Sequence, residues 1–306
     1  MPLLSIIIPV YNEAENIPVL YKELVSYCIG DYEIILVDDG STDQTLLHIA
    51  EIAQKNQRLK CLSLSRNFGH QNALMAGMHY AKGDFIITMD GDLQHPPSLI
   101  PEMLLKLESG FDIVHTKRNK TENIGAAKKL FATFFYRFIN MVSDVKIEPN
   151  GSDFRAFNKK VLNSILQFEE RELFLRGLFS WIGFSSVRLE FIAPARLSGD
   201  TKYSYKKMTM LGIRGITSFS YKPLRVSLLI GSFISFFAFL FALFSLIAYF
   251  EGKTVRGWTS IIIAVIFFGG IQLLAIGLIG EYIAGLFSES KKRPLYLIKN
   301  KINTAD

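Results

Sequence analysis

Two short runs in this 306-residue chain concentrate carboxylates, Asp38-Asp39-Gly40-Ser41 and Asp90-Gly91-Asp92-Leu93-Gln94. In the second, two carboxylates two residues apart can share one hard cation, and such a cation can bridge a diphosphate. Gly91 lets the backbone approach a ligand closely, Gln94 adds a neutral oxygen, and His95-Pro96-Pro97 ends the run and opens a helix. In the first, a carboxylate can accept a hydrogen bond from a base N–H or a ribose hydroxyl, while Ser41 or Asp43 caps the helix that follows. Pro9-Val10-Tyr11-Asn12-Glu13 adds an aromatic ring and a further carboxylate. A bare D-x-D spacing is common in acidic loops, so its placement decides its weight.

The elements that must hold these runs are legible in the pattern of apolar residues. Residues 3–10, 32–38, 59–63, 85–89 and 112–116 read as strands, with helix-period stretches at 13–27, 44–54, 71–81 and 98–109 between them. Strands that are apolar throughout and joined by helices predict a mostly parallel sheet covered on both faces. Ligands bind such a sheet at the carboxyl ends of its strands, where both acidic runs and Tyr11 fall. Further on, the pattern predicts a strand over 152–157, helices near 160–167 and 172–181, and a strand over 186–192. His48, His79 and His115 lie within helix or strand patterns, which predicts structural roles. His95 is expected to touch the acidic loop, and His70 follows a turn; neither has ligand spacing.

Composition then changes abruptly. The chain is 49% apolar with 25 Phe, and that excess collects from Pro223 to Ala284, where charges almost vanish. Two stretches, about 226–250 and 258–280, have the roughly 20 apolar residues that a bilayer crossing needs. Lys206, Lys207, Arg214, Lys222 and Arg225 precede the first, and Lys291, Lys292, Arg293, Lys299 and Lys301 follow the second. That distribution predicts both termini on the cytoplasmic side. Segments 128–145 and 206–221 mix cations with aromatic residues, as amphipathic helices at a membrane surface do. The formal net charge of +6 is thus assigned to an anionic membrane rather than to nucleic acid. Two cysteines without metal spacing exclude a disulfide framework. The chain opens directly on strand-like sequence, so the globular part is expected to remain cytoplasmic.

Together these runs resemble the family 2 glycosyltransferases of the GT-A fold. Ser65-Arg66-Asn67-Phe68-Gly69, Gly151-Ser152-Asp153-Phe154-Arg155, the run from Arg171-Glu172-Leu173-Phe174 to Ser180-Trp181-Ile182-Gly183, and Gly199-Asp200-Thr201-Lys202 narrow the resemblance. Over nearly the whole chain it is to bacterial polyprenyl-phosphate glycosyltransferases, in particular the bactoprenol glucosyltransferase branch. The implied architecture is an α/β GT-A domain, Rossmann-like, with amphipathic interface helices and a C-terminal two-helix transmembrane hairpin. Residues 1–120 would form the nucleotide-sugar core, 121–222 the acceptor side, 223–286 the hairpin and 287–306 a basic tail.

The resemblance also implies residue roles. Pro9, Tyr11, Glu13, Asp38 and Asp39 would line the nucleoside pocket. Asp90, Asp92 and Gln94 would hold Mg2+ or Mn2+ against the diphosphate. Arg118 would contact the phosphates of donor or acceptor, and Lys128, where a relative has arginine, the acceptor phosphate. Arg196 and Lys202 would belong to a loop closing over the diphosphate. Asp153 and Arg155 would face the sugar or acceptor, with Asp153 as a general base or as an orienting group. The implied reaction moves a hexose from a nucleotide-sugar, UDP-glucose first, to undecaprenyl phosphate with inversion, in the bacterial inner membrane, for glycan modification of the cell envelope. UDP-N-acetylglucosamine, GDP-mannose or an aminosugar donor are the alternatives.

Three rival readings fare worse. A processive polysaccharide synthase would carry Gln-x-x-Arg-Trp, which the sequence lacks. A non-catalytic membrane scaffold is disfavoured by the intact acidic runs. A dinucleotide-dependent oxidoreductase would show G-x-G-x-x-G after the first strand. A strand-like pattern over 293–298 is expected to pair with a neighbouring subunit's sheet edge in a homo-oligomer.

Overall fold

The computed structural model describes residues 2–119, 151–171, 173–192 and 257–304, together with isolated positions between 224 and 247. Two compact units divide the chain. One comprises Met1–Tyr136, Lys146–Ser204 and Lys292–Asp306; the other comprises Arg137–Val145 and Tyr205–Lys291.

The first unit is built on an eight-stranded sheet. In chain order its described elements are β1 (Leu4–Val10), α1 (Asn16–Tyr27), β2 (Tyr32–Asp38), α2 (Thr45–Lys55), β3 (Leu59–Leu64), α3 (His70–Tyr80), β4 (Phe85–Thr88), α4 (Ile100–Glu108), β5 (Ile113–Asn119), β6 (Gly151–Asn158), α5 (Lys159–Ile165), α6 (Leu175–Trp181) and β7 (Ser186–Ile192). The last strand, β8 (Ile298–Ile302), follows the second unit. The strand order is β7-β5-β6-β4-β1-β2-β3-β8. β1 pairs in parallel with β2 and β4, β2 with β3, and β5 with β7. β6 is antiparallel to both β4 and β5, and β8 is antiparallel to β3. The mostly parallel, Rossmann-like sheet expected from the sequence is therefore present.

The burial pattern explains the topology. Every residue of β1 and β2 is buried, so these central strands are covered on both faces and read as continuous apolar runs. The helices contribute narrow stripes at helical spacing: Ile17, Leu20 and Leu24 from α1, and Ile100, Met103 and Leu107 from α4. β7 at the edge alternates, burying Leu189 and Phe191 while its neighbours face out. The chain lays β2 and β3 on one side of β1 and then returns with β4 on the other. That reversal opens a crevice at the carboxyl ends of β1, β2 and β4.

The strand-like run at 293–298 leads into β8, which pairs with β3 of its own chain, Cys61 opposite Ile302 and Ser63 opposite Asn300. The Asn303 side-chain amide fixes this register by donating to the carbonyls of Ala53 and Leu59. A strand pattern reports that a segment seeks an open edge, not whose edge it takes.

In the second unit the described chain is dominated by α7 (Trp258–Ser290), a 33-residue helix. Its stretch Phe267–Ser290 is long and apolar enough to cross a membrane, and Ile261, Val265, Leu273, Ile276, Ile283 and Leu286 on α7 are exposed. The helix runs on to Ser290, because Ile283, Leu286 and Phe287 prolong the apolar spacing past Glu281 without a breaker. The described positions between 224 and 247 are helical, among them the exposed Leu228, Phe233 and Phe244. The two basic aromatic segments expected at 128–145 and 206–221 lie outside the described residues.

One partly buried group gives a pH signature. His115 on β5 lies opposite Arg155 on β6 and Arg188 on β7. Burial first, and then these two arginines, push its pKa down to about 4. The unfolded chain therefore binds a proton that the folded chain refuses between pH 6.5 and 4. Stability from the neutral ring is complete above pH 6.5 and is lost as pH falls toward 4, by up to about 3 kcal/mol. In denaturant titrations between pH 7 and 4, His115→Gln should flatten this acid-side loss; an unaltered slope would assign it elsewhere.

Candidate active site

Three loops meet at the crevice, and hydrogen bonds stitch them together. After β1, Asn12 adopts φ 54°, a left-handed conformation that Asn tolerates. Its backbone N–H donates to Ser41 Oγ (3.0 Å), and its side-chain oxygen accepts from the Thr42 N–H (2.9 Å). Glu13 N–H donates to Thr45 Oγ1 (2.9 Å), and the Glu13 carboxylate accepts from Asn16 Nδ2 (2.6 Å). Pro9 is buried within β1, and Tyr11 leaves the strand with 38% of its surface exposed.

After β2, both aspartates turn inward. Asp38 accepts from the Ser41 N–H and from Ser63 Oγ, each at 3.0 Å. It closes the turn with one internal hydrogen bond to each of its oxygens. Asp39 accepts from the N–H groups of Phe68 (2.7 Å) and Gly69 (2.9 Å). Burial raises its pKa despite these two donors. Asp39 thus holds the 65–69 loop against the end of β2. Gly40 between the two loops has φ +71°, and a Cβ there would lie 2.5 Å from the Arg66 carbonyl carbon. The 65–69 loop is also tied to the tail, since Ser65 N–H donates to the Leu297 carbonyl (2.8 Å).

After β4, the D-x-D run forms a tight turn. Asp92 Oδ1 accepts from the Gln94 N–H (3.2 Å), and Leu93 between them is buried at φ 61°. A bulky residue in that region is strained, and such strain collects at functional sites. Gly91 packs under the turn; a Cβ would come within 2.8 Å of Val10 Cγ1. Gln94 Oε1 accepts from Arg118 Nη1 (3.0 Å). The amide expected to face a cation is therefore engaged by a guanidinium, which it fixes beside the turn.

His95 locks the turn from below. Its Nδ1 accepts from the Asp90 N–H (2.9 Å), which leaves Nε2 as the protonated nitrogen, donating to Ser152 Oγ (2.7 Å). The ring stacks on Phe154. Asp90 presents a carboxylate whose Oδ1 is buried and accepts no hydrogen bond among the described residues, with His70 Nε2 3.3 Å away. Two carboxylates two residues apart in one turn are a donor set suited to a hard cation. Among the described residues, no group of three or more His, Cys, Asp or Glu forms a metal cage by itself. A cation here would complete its shell with ligand oxygens.

Facing this turn, β6 carries the buried pair Asp153, 9% exposed, and Arg155, 4% exposed. Asp153 Oδ1 accepts from Arg155 Nη2 (3.0 Å) and Arg176 Nε (2.9 Å), and Oδ2 accepts from Arg176 Nη2 (2.9 Å). Burial opposes its charge, but the two guanidiniums and His70 prevail and hold its pKa well below the usual carboxylate range. A carboxylate so paired is a weak proton acceptor, which disfavours the general-base role and favours the orienting one. Arg155 also donates from Nη2 to the Ser152 carbonyl (3.1 Å) and lies over the Phe179 ring at 4.4 Å. Its Nη1 is buried with no hydrogen-bond partner among the described residues. His70, at the start of α3, spans Asp90 and Asp153 Oδ2 (3.6 Å). Burial would lower its pKa, yet these carboxylates raise it.

The structure thus brings Pro9, Tyr11, Glu13, Asp39, Asp90, Asp92, Gln94, Arg118, Asp153 and Arg155 to the crevice side of the sheet. Lys128, Arg196 and Lys202 lie outside the described residues. His70 and Arg176 are the additions that sequence reasoning missed. Each stands in or beside a run that supports the family resemblance, Asn67-Phe68-Gly69 and Arg171–Gly183, but neither has ligand spacing.

Comparison with known proteins agrees with this geometry. Residues 5–166 match the family model described as glycosyl transferase family 2. An uncharacterized glycosyltransferase of Synechocystis sp. is 40% identical over 301 residues, covering 97% of this chain and 95% of the relative. A prophage bactoprenol glucosyl transferase homolog of Escherichia coli K12 is 40% identical, covering 97% and 98% of the two chains. The bactoprenol glucosyl transferase of Shigella phage SfV matches at 40% with the same coverage. With the GT-A sheet, the acidic turn at its switch point and these matches in place, the chain belongs to glycosyltransferase family 2 and is an enzyme of sugar transfer.

Proposed function

We propose that the protein transfers a hexose from a nucleotide-sugar, with UDP-glucose as the first donor, to the phosphate of a polyprenyl lipid at the cytoplasmic face of a bacterial membrane. The observation that carries this reading is that Asp90, from the D-x-D turn, and the buried Asp153–Arg155 pair converge on His70. Bactoprenol glucosyl transferases similar over nearly the whole chain support the lipid acceptor. The exposed apolar helix α7 supports a membrane location. The two-span hairpin, with 226–250 as its first member, belongs to the same proposal.

In this reading Asp90 and Asp92 would hold Mg2+ or Mn2+, which when bound neutralises the departing diphosphate. Tyr11 offers a ring face to the base, and Asp39 shapes the loop beside it. Arg118, fixed by Gln94, faces the phosphates. An acceptor phosphate monoester has its second pKa near 6, so at neutral pH it arrives as an oxyanion. Its oxygen forms a bond to the anomeric carbon as the bond to the diphosphate oxygen breaks, and the leaving nucleotide keeps the electron pair. One such displacement inverts the anomeric centre. No residue need take a proton, in keeping with an Asp153 already neutralised by two arginines. The site's task is orientation and charge stabilisation.

The test is a panel of UDP- and GDP-sugars offered to detergent-purified protein with undecaprenyl phosphate and Mg2+ or Mn2+. Organic-extractable label from UDP-glucose, abolished by EDTA, is expected. Label from GDP-mannose alone would replace the donor assignment, and label in water-soluble polymer would overturn the acceptor.

A further inference from the structure

We infer that Arg176 is a positioning residue for sugar transfer, acting through Asp153 and Arg155 without touching substrate. The inference rests on the reading that Asp153 and Arg155 face the reacting groups. It arises from the way α6 is built against β6. Arg176 and Phe179 are three apart on α6 and so share one face of the helix. Arg176 grips both oxygens of Asp153 in a two-pronged contact, each prong at 2.9 Å. Phe179 supplies the ring beneath the Arg155 guanidinium. One turn of one helix therefore braces both members of the buried pair.

The brace is anchored at the crevice. The first N–H of α6, from Leu175, donates to Gln71 Oε1 at 2.9 Å. Gln71 adjoins His70, which faces both Asp90 and Asp153. The contacts close a ring: His70 and Gln71 on α3, Leu175 and Arg176 on α6, Asp153 on β6, and back to His70. Asp90 hangs from this ring at the end of β4. The arrangement also distributes charge usefully. Arg176 shares the neutralisation of Asp153, and Arg155 gives Nη2 to its neighbours while Nη1 has no hydrogen-bond partner among the described residues.

A lysine cannot reproduce a two-pronged contact, because its ammonium is a point charge. Arg176→Lys should lower kcat about tenfold, and Arg176→Ala about a hundredfold, as expected when reacting groups shift by about 1 Å. Donor KM should stay within about twofold in both variants, since ground-state binding is not the interaction removed. Added guanidinium should restore part of the rate of Arg176→Ala and none of that of Arg176→Lys. Assays use full-length protein with the donor selected by the panel above, and thermal unfolding confirms folding. Unchanged kcat, or a fall in stability with kcat per folded molecule preserved, would overturn the inference. Asp153→Asn separates the two readings: if it too transfers at the wild-type rate, the placement of the pair at the reacting centre fails. If only the Arg176 variants do so, the brace alone fails.

Discussion

Asp92→Ala is expected to lower the rate of transfer at saturating donor by about a thousandfold, or about 4 kcal/mol of transition-state stabilisation. Asp92 follows Asp90 by two residues, in a turn held by its own contact with the Gln94 N–H and by the left-handed Leu93. Removing its charge deprives the departing diphosphate of its neutralising partner. Asp92→Asn keeps an oxygen for the Gln94 N–H but loses the charge, so it should be nearly as slow while unfolding at the wild-type temperature. Loss of the turn alone would instead spare the asparagine variant. Initial rates over a Mn2+ titration, with Mn2+ binding followed by electron paramagnetic resonance, check both statements. A wild-type rate for Asp92→Ala would take the acidic turn out of the chemistry.

Gly40→Ala is expected to cost about 3 kcal/mol or more of stability and to weaken nucleotide binding together with it. Its φ of +71° already disfavours a side chain, and the new methyl would meet the backbone of Arg66 and Asn67 at 2.5–2.8 Å. No side-chain rotation relieves a clash with backbone, so the 65–69 loop must move. That loop supplies the Phe68 and Gly69 N–H groups to Asp39, and its displacement leaves a buried carboxylate without its donors. For a unit of this size the loss corresponds to a fall in Tm of roughly 6–12 °C. Thermal unfolding with and without UDP measures both effects, and an unshifted Tm would refute the close approach of the two loops.

Much of the framework was legible in the sequence because strand and helix periods are local. The unbroken apolar runs Ile6-Ile7-Ile8, Ile34-Ile35-Leu36-Val37 and Phe85-Ile86-Ile87 signal central parallel strands. The acidic runs that end β2 and precede α4 could then be placed at one end of the sheet. What depends on distant partners could not be read. Nothing in Ser152–Phe157 shows that β6 inserts antiparallel between β4 and β5, or in Ile298–Ile302 that β8 completes β3. Asp38 and Asp39 are adjacent and identical in type, and only the fold shows that Asp38 faces Ser63 while Asp39 faces the next loop. Arg176 and His70 lack any spacing that marks them, because their partners on β6 and after β4 are far away in the chain.

The closing of the sheet by β8 also bears on how the protein is made. Asn303 and Ala53, joined by one hydrogen bond, stand 250 residues apart. At 5–20 residues per second, a ribosome needs about 10–50 s to cover that distance. For that interval β3 of the nascent chain presents an open row of amides and carbonyls beside an apolar core, a template for pairing with another chain. The exposed Lys299 and Lys301 then give the completed edge a charged guard against further strand addition. The hazard of aggregation is thus confined to synthesis, before the last strand arrives.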